Sequence, residues 1–241
     1  MDTHRSWYAV REYLFPQGCG ICGNMLISPE EAWYGLCRTC KADLAIETSP
    51  RCDLCGRPLI SEINRCLPCR QNAETENPSC DGIAAIFPYT GKYRELLGAF
   101  KFGKSIGAGH FLADCLSEAL KLLCPDEMQN PVLVPVPPRP GKIRKTGWDQ
   151  IYILAKLLKQ KQNAPRIVSC LRRQTSQTQK KLDRKDRKTN LKGRIQANAK
   201  APPECILFDD VITTGSTMNA CAAALELAGA RKVFGLCLFY D

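Results

Sequence analysis

The stretch Glu204 to Thr217, E-C-I-L-F-D-D-V-I-T-T-G-S-T, restricts the fold of this chain more than any other. Cys205, Ile206, Leu207 and Phe208 are apolar without alternation and leave no face for water, so they read as a strand buried inside a parallel sheet. Asp209 and Asp210 then stand at its carboxyl end, where open α/β sheets place their ligand crevices. Val211 and Ile212 lead into Thr213-Thr214-Gly215-Ser216-Thr217, and an alanine-rich helix follows with Met218, Cys221, Ala222 and Leu225 at helical spacing. Gly215 permits a backbone conformation and a close approach that a side chain would block. The amides of the loop and first helical turn can donate to phosphate oxygens, with the hydroxyls as further donors. Carboxylates repel phosphate, so the two acids are aimed at something else on the same ligand, most simply the cis-diol of a ribose. A sugar with a 5-phosphate satisfies both halves. Four apolar residues before two acids also describe a Walker B segment, and the attached hydroxyl-rich loop favours the sugar phosphate.

Fifteen cysteines in 241 residues would suggest a disulfide framework in a small secreted chain. This chain is larger, the count is odd, and Arg5, Arg11 and Glu12 interrupt any apolar leader, so reduced thiols and a cytoplasmic location are expected. Eight of the cysteines form four C-x-x-C pairs: Cys19/Cys22, Cys37/Cys40, Cys52/Cys55 and Cys66/Cys69. Two thiolates at this spacing bite one metal from a tight turn, and Gly23 and Gly56 supply the freedom such a knuckle needs. Eight ligands suffice for one or two four-cysteine zinc sites. Short loops favour consecutive pairing, with an interleaved arrangement still open. A redox-active C-x-x-C would be a single pair in a thioredoxin-like context, which four tandem pairs do not resemble. Zinc closed by four cysteines has no vacancy for substrate, so its role is structural. The other cysteines sit mostly in apolar runs and read as core.

Residues 1–70 thus form an N-terminal unit made of a short helix over Trp7 to Phe15 and the zinc module, with a polar linker at 71–80 and an α/β domain over 81–241. In that domain Ile83 to Tyr89 reads as a strand, Tyr93 to Phe102 and Phe111 to Leu123 as helices, Val132 to Val136 as a buried strand, and Gly147 to Lys159 as a basic amphipathic helix. Gly98-x-x-x-x-Gly103-Lys104-Ser105 satisfies the Walker A pattern. However, a phosphate-binding loop of that kind springs from a strand, and Gly98 falls inside a helical pattern. A P-loop NTPase is the lesser alternative. No apolar run is long enough to span a bilayer, so no direct membrane insertion is expected.

The net charge of +10 is concentrated. Between Arg139 and Lys200, nineteen lysines and arginines face three acids, a local +16 against −6 for the remainder. Cys170 to Arg194, the most basic tract, is too poor in large apolar residues to bury itself and reads as a mobile loop with a solvated helix. Arg144, Lys145, Arg172, Arg173, Lys181 and Lys185, with Trp148 as a stacking platform, are the candidates for contact with single-stranded DNA.

Ile206 to Thr217 resembles, without a gap, the phosphoribosyl-pyrophosphate motif of the type I phosphoribosyltransferases. The resemblance narrows when further features are added: the C-x-x-C pairs, Tyr-x-Gly-x-x-Arg-Glu-Leu-Leu at Tyr89 to Leu97, Lys101-Phe102, the Pro-Val-Pro strand exit, and a loop with Gln179, Leu182, Arg187 and Asn190. Together these resemble the competence protein F family over nearly the whole chain. The resemblance implies a type I phosphoribosyltransferase-like α/β fold, mostly parallel sheet flanked by helices, with a small N-terminal zinc-ribbon-like module. It implies Asp209 and Asp210 on the ribose hydroxyls, Thr213, Thr214, Gly215, Ser216 and Thr217 around the 5-phosphate with Val211 and Ile212 beside it, and Pro137 and Arg139 at pyrophosphate. Mg2+ would accompany that ligand. Asp209, Asp210 and Arg139 are the catalytic candidates, and Gln179, Lys180, Arg184, Arg187 and Asn190 belong to a loop closing over the leaving group. DNA uptake, with its machinery proteins as partners, is the implied process. Two roles are left open for the ligand site, catalysis and sensing.

Overall fold

The structure, a computed structural model, describes residues 18–46, 48–61, 63–71, 79–123, 132–174 and 195–241. Among these, a parallel sheet has the order β1-β6-β5-β2, built from β1 (Gly82–Pro88), β2 (Val132–Pro135), β5 (Glu204–Ile212) and β6 (Lys232–Tyr240). The strands are apolar on both faces because both are covered. Ile86, Leu133, Ile206, Phe208, Leu236 and Leu238 pack against the helices α4 (Gly91–Lys101), α5 (Ile106–Leu122) and α7 (Gln150–Lys159). Ile83, Val134, Cys205, Leu207, Val233 and Cys237 pack instead on α8 (Ser216–Leu227) and on the hairpin of β3 (Leu171–Arg173) and β4 (Ile195–Ala197). Each fully buried leucine or phenylalanine in these layers contributes about 1.5–3 kcal/mol.

The N-terminal residues form two copies of one small unit, a C-x-x-C knuckle followed by a short helix that carries the next pair. In the knuckles Gly23 and Gly56 adopt φ of 76° and 68°, and each donates its amide to the first cysteine's carbonyl at 2.8 Å. The first unit continues into α1 (Pro29–Tyr34), started by a capping box of Ser28 and Glu31 and stopped by Gly35 in the left-handed region. Helix α2 (Arg38–Ala42) begins on the Cys37 sulfur, which accepts from the Cys40 amide. Helix α3 (Leu67–Gln71) holds the equivalent place in the second unit. The first unit docks on α5, where a methyl group at Gly107 would lie 2.6 Å from the Gly35 nitrogen. Tyr34 seals that contact by donating to Asp114.

Three sequence expectations are corrected. Strand β5 does not end at Phe208 but runs to Ile212, because β6, which has no counterpart in the sequence reading, pairs with it up to Tyr240. Gly147, with φ of 62°, closes a separate short helix, α6 (Lys142–Thr146), and α7 starts only at Gln150, where the Asp149 carboxylate accepts from the Tyr152 amide. Leu171–Arg173 is a strand rather than part of a mobile loop, since Leu171 and Ile195 bury against α8. In agreement with the helical pattern, Gly98 lies within α4, and the Gly103 amide donates back to its carbonyl, so 98–105 is a helix end followed by the Ser105 cap of α5, and no P-loop. The expected helix before Pro16 and the basic loop at 175–194 lie outside the described residues.

Candidate functional site

The eight paired cysteines converge as two groups, Cys19, Cys22, Cys37, Cys40 and Cys52, Cys55, Cys66, Cys69, each with all four sulfurs within 4.8 Å of one another. Consecutive pairing is therefore the arrangement. Tetrahedral zinc with bonds of about 2.3 Å sets sulfur–sulfur edges near 3.8 Å, and the separations Cys22 to Cys37 and Cys55 to Cys66 are 3.8 Å and 3.7 Å. The thiols also titrate as crowded sets. Hydrogen bonding from Cys55, ahead of opposing burial, pulls Cys52 down to about 4, while burial pushes Cys69 up to about 12. In the first group, burial raises Cys19 but backbone hydrogen bonds around Cys22 and Cys37 outweigh it, leaving it at about 7, and burial drives Cys40 up. Four thiolates cannot ionise together without a cation between them. Both groups fit structural zinc sites.

The second candidate centre lies at the carboxyl edge of the sheet. The chain leaves β2 toward α7 on one face and leaves β5 toward α8 on the other. A crevice therefore opens between these neighbouring strands, at a topological switch point. The Val136 amide donates to the Phe208 carbonyl and holds the β2 exit against the start of the acidic pair. Pro137 is buried there, and Arg139 is exposed at the rim.

Successive strand residues face opposite ways, and the two acids are divided accordingly. Asp210 accepts from Lys101 Nζ at 3.1 Å, from Gln150 Nε2 at 3.1 Å and from the Val211 amide at 3.0 Å. Asp209 accepts from the Asp210 amide at 2.8 Å and feels the Arg173 guanidinium on the hairpin side. Burial, then the charge of Asp210, pushes the Asp209 carboxyl well above the usual carboxylate range. Beyond them Val211 and Ile212 remain strand residues, with Ile212 buried. Gly215 has φ of 73° and precedes α8, whose start has no side-chain cap. The first amides of this twelve-residue helix are left to the loop, where Thr214 and Ser216 share a hydroxyl hydrogen bond of 2.8 Å and, with Thr213, are exposed. Thr217 is half-buried.

Sequence reasoning missed the polar chain behind Asp210. Gln150 and Asp149 are only 1% and 4% exposed, and Lys142 bridges them by donating to both. The available signal was a polar pair opening an apolar helix, which reads equally well as a cap. Lys101 entered only through the Lys-Phe pattern, and its spatial role is to bring α4 onto Asp210. Of the nucleic-acid candidates, Arg144 and Lys145 are exposed on α6, Arg172 is exposed on β3, and Arg173 is half-buried with its Nε unpartnered among the described residues. Trp148 is half-buried, edge-on to Phe100 at 5.7 Å. Gln179, Lys180, Lys181, Arg184, Lys185, Arg187 and Asn190 lie outside the described residues.

Residues 10–70 match the double zinc ribbon domain, in keeping with the two sulfur clusters. Over 223 residues, 88% of this chain and 91% of the relative, the sequence is 28% identical to Competence protein F of Haemophilus influenzae. The chain is thus similar to competence protein F over most of its length. It is also 26% identical over 150 residues to Competence protein ComFC of Streptococcus pneumoniae, a match that spans 62% of this chain and 64% of that relative. The similarity to the first relative extends through both the ribbon module and the sheet domain, so the double ribbon and the α/β layer are to be read together. Among the described residues, no helix is long and apolar enough to cross a membrane.

Proposed function

We propose that this protein binds phosphoribosyl pyrophosphate at the β2–β5 crevice and acts, as its relatives' names indicate for them, in competence, handling incoming single-stranded DNA in the cytoplasm alongside DNA-uptake proteins. One observation carries the reading: the hydroxyl loop, the acidic pair and the Pro137–Arg139 exit meet at a single switch point. The amides and hydroxyls of Thr213 to Thr217 would hold the 5-phosphate, and Asp209 and Asp210 would accept from the ribose hydroxyls. Lys101 and Gln150 both donate to Asp210 Oδ2 and fix its orientation, which is a positioning role. The chemistry that Mg2+ would supply, if it came with the ligand, is to offset the negative charge of pyrophosphate. Arg139 would contact pyrophosphate, and in a transfer reaction its charge would stabilise that group as it departs. A site of this build also serves as a sensor, with the ligand setting the DNA-binding state.

Titration calorimetry with phosphoribosyl pyrophosphate and, separately, ATP, each with Mg2+, tests the site. The first should bind the wild type and fail to bind the double variant Asp209→Ala, Asp210→Ala. ATP binding alone would overturn the assignment. The DNA reading is supported by the local charge of +16 and the exposed Arg144, Lys145 and Arg172. Affinity for an oligonucleotide should fall steeply with salt, the logarithmic slope being about 0.7 for each phosphate neutralised. A salt-insensitive or absent interaction would sink it.

A further inference from the structure

Gly215 is buried although Thr213, Thr214 and Ser216 beside it are exposed. The residue covering it comes from the second zinc ribbon: a methyl group at Gly215 would lie 2.9 Å from the Leu54 carbonyl oxygen. Leu54 sits inside the Cys52-x-x-Cys55 bite, so a sulfur cluster and the hydroxyl loop share one contact. Three ties hold the knuckle there. Gly56 is pressed onto β1, where an added methyl would meet the Ala84 carbonyl carbon and the Ala85 nitrogen at 2.8 Å. Arg51 Nη1 donates to the Gly56 carbonyl at 3.1 Å and to the Ala85 carbonyl. Arg57 Nη2 donates to the Asp241 carbonyl at 2.9 Å, and the Asp241 amide donates to Ile212 at 3.0 Å, three residues before Gly215. The first ribbon has a different seat, on α4 and α5, through Gly20 against Ala99 and Gly35 against Gly107.

We propose that the second ribbon is a wall of the phosphate-binding loop, so that zinc at Cys52, Cys55, Cys66 and Cys69 and a sugar 5-phosphate at Thr213–Thr217 favour each other's binding, while the first cluster lacks this linkage. The proposal rests on the phosphate reading of the loop. Its physical basis is that a four-residue bite keeps its shape only while both sulfurs are held at one point. When the bite relaxes, Leu54 withdraws from Gly215 and the loop loses the surface that fixes its backbone.

Linkage is reciprocal, and coupling of ordinary size changes affinity about 5- to 150-fold. The test uses ribose 5-phosphate on the full zinc-loaded chain. Calorimetry measures its binding, and a chromogenic chelator measures zinc release with and without it. The expected result is that saturating ribose 5-phosphate slows release of one zinc of the two by about tenfold. In Cys22→Ser, which removes a ligand of the first cluster, the slow and protected zinc should persist. In Arg57→Ala, which leaves all eight cysteines in place, ribose 5-phosphate should bind several-fold more weakly and the protection should shrink. Ribose 5-phosphate binding with no protection of either zinc overturns this proposal alone. Absence of ribose 5-phosphate binding to the zinc-loaded chain overturns the phosphate reading and this proposal with it.

Discussion

Asp209 and Asp210 are adjacent in the chain and opposite in electrostatic condition. Asp210 has Lys101 as counter-ion, whereas Asp209 is held above its ordinary range by burial and by its neighbour. Between the ordinary carboxylate range and that raised value, the folded protein binds more protons than the unfolded chain, so stability falls as pH rises through this window. Asp209→Asn removes the ionisation. Thermal melts of the ligand-free protein should show a higher Tm for the variant at pH 8 and a smaller difference at pH 4, together with weaker ligand binding. Asp210→Ala should weaken the ligand by about tenfold to hundredfold, the range for a lost charged hydrogen bond, and calorimetry checks this. His110 shows the opposite sign. Burial, then Lys161, lowers it to about 4, so the unfolded chain binds the extra proton and stability is lost as pH falls from about 6.5 toward 4. His110→Phe, keeping the stack on Trp33, should flatten that part of the pH–Tm curve.

At the scale of elements, β5 is the organising strand, paired on both sides and buried on both faces. Leu207→Ala would leave a cavity among Val134, Cys221 and Leu225, and denaturant unfolding should show a loss of about 2–5 kcal/mol. That prediction was available from the sequence, because an unbroken apolar run before two acids has no other stable environment. The partner strand β6 was not recognised, although Lys232 to Tyr240 has the same apolar character. It carries no ligand-like motif, and apolar run length alone does not distinguish a strand from a buried helix. The division of 142–159 into α6 and α7 turns on Gly147 and Asp149, and both have alternative readings in a helical pattern. The short β3–β4 pairing was illegible because its strands are joined across a basic tract that carries no periodicity.

At the scale of the whole molecule, the two cysteine clusters brace different surfaces of the α/β domain. Gly107→Ala would force the first ribbon off α5 at a contact of 2.6 Å. The expected outcome is earlier loss of zinc on heating and faster proteolysis near residues 18–46, with the sheet's melting transition lowered by a smaller amount. Arg144 and Lys145, exposed on α6, belong to the proposed DNA track, whereas Arg139 stands at the strand exit beside the proposed ligand site. Neutralising Arg144 and Lys145 together should therefore reduce the salt slope of oligonucleotide binding by about 1 to 2 units, which fluorescence anisotropy at several salt concentrations would measure.

The chemistry of this protein was largely local and so was readable along the chain. A knuckle needs two cysteines and a glycine within five residues, a phosphate loop needs amides and hydroxyls within five, and a buried strand needs a short apolar run. Associations between distant segments depend on shape and packing, and these emerged only in three dimensions. The tertiary structure decided that Lys101 and Gln150 converge on Asp210 and that Leu54 closes over Gly215. Each joins residues separated by more than fifty positions, where no sequence period carries the information.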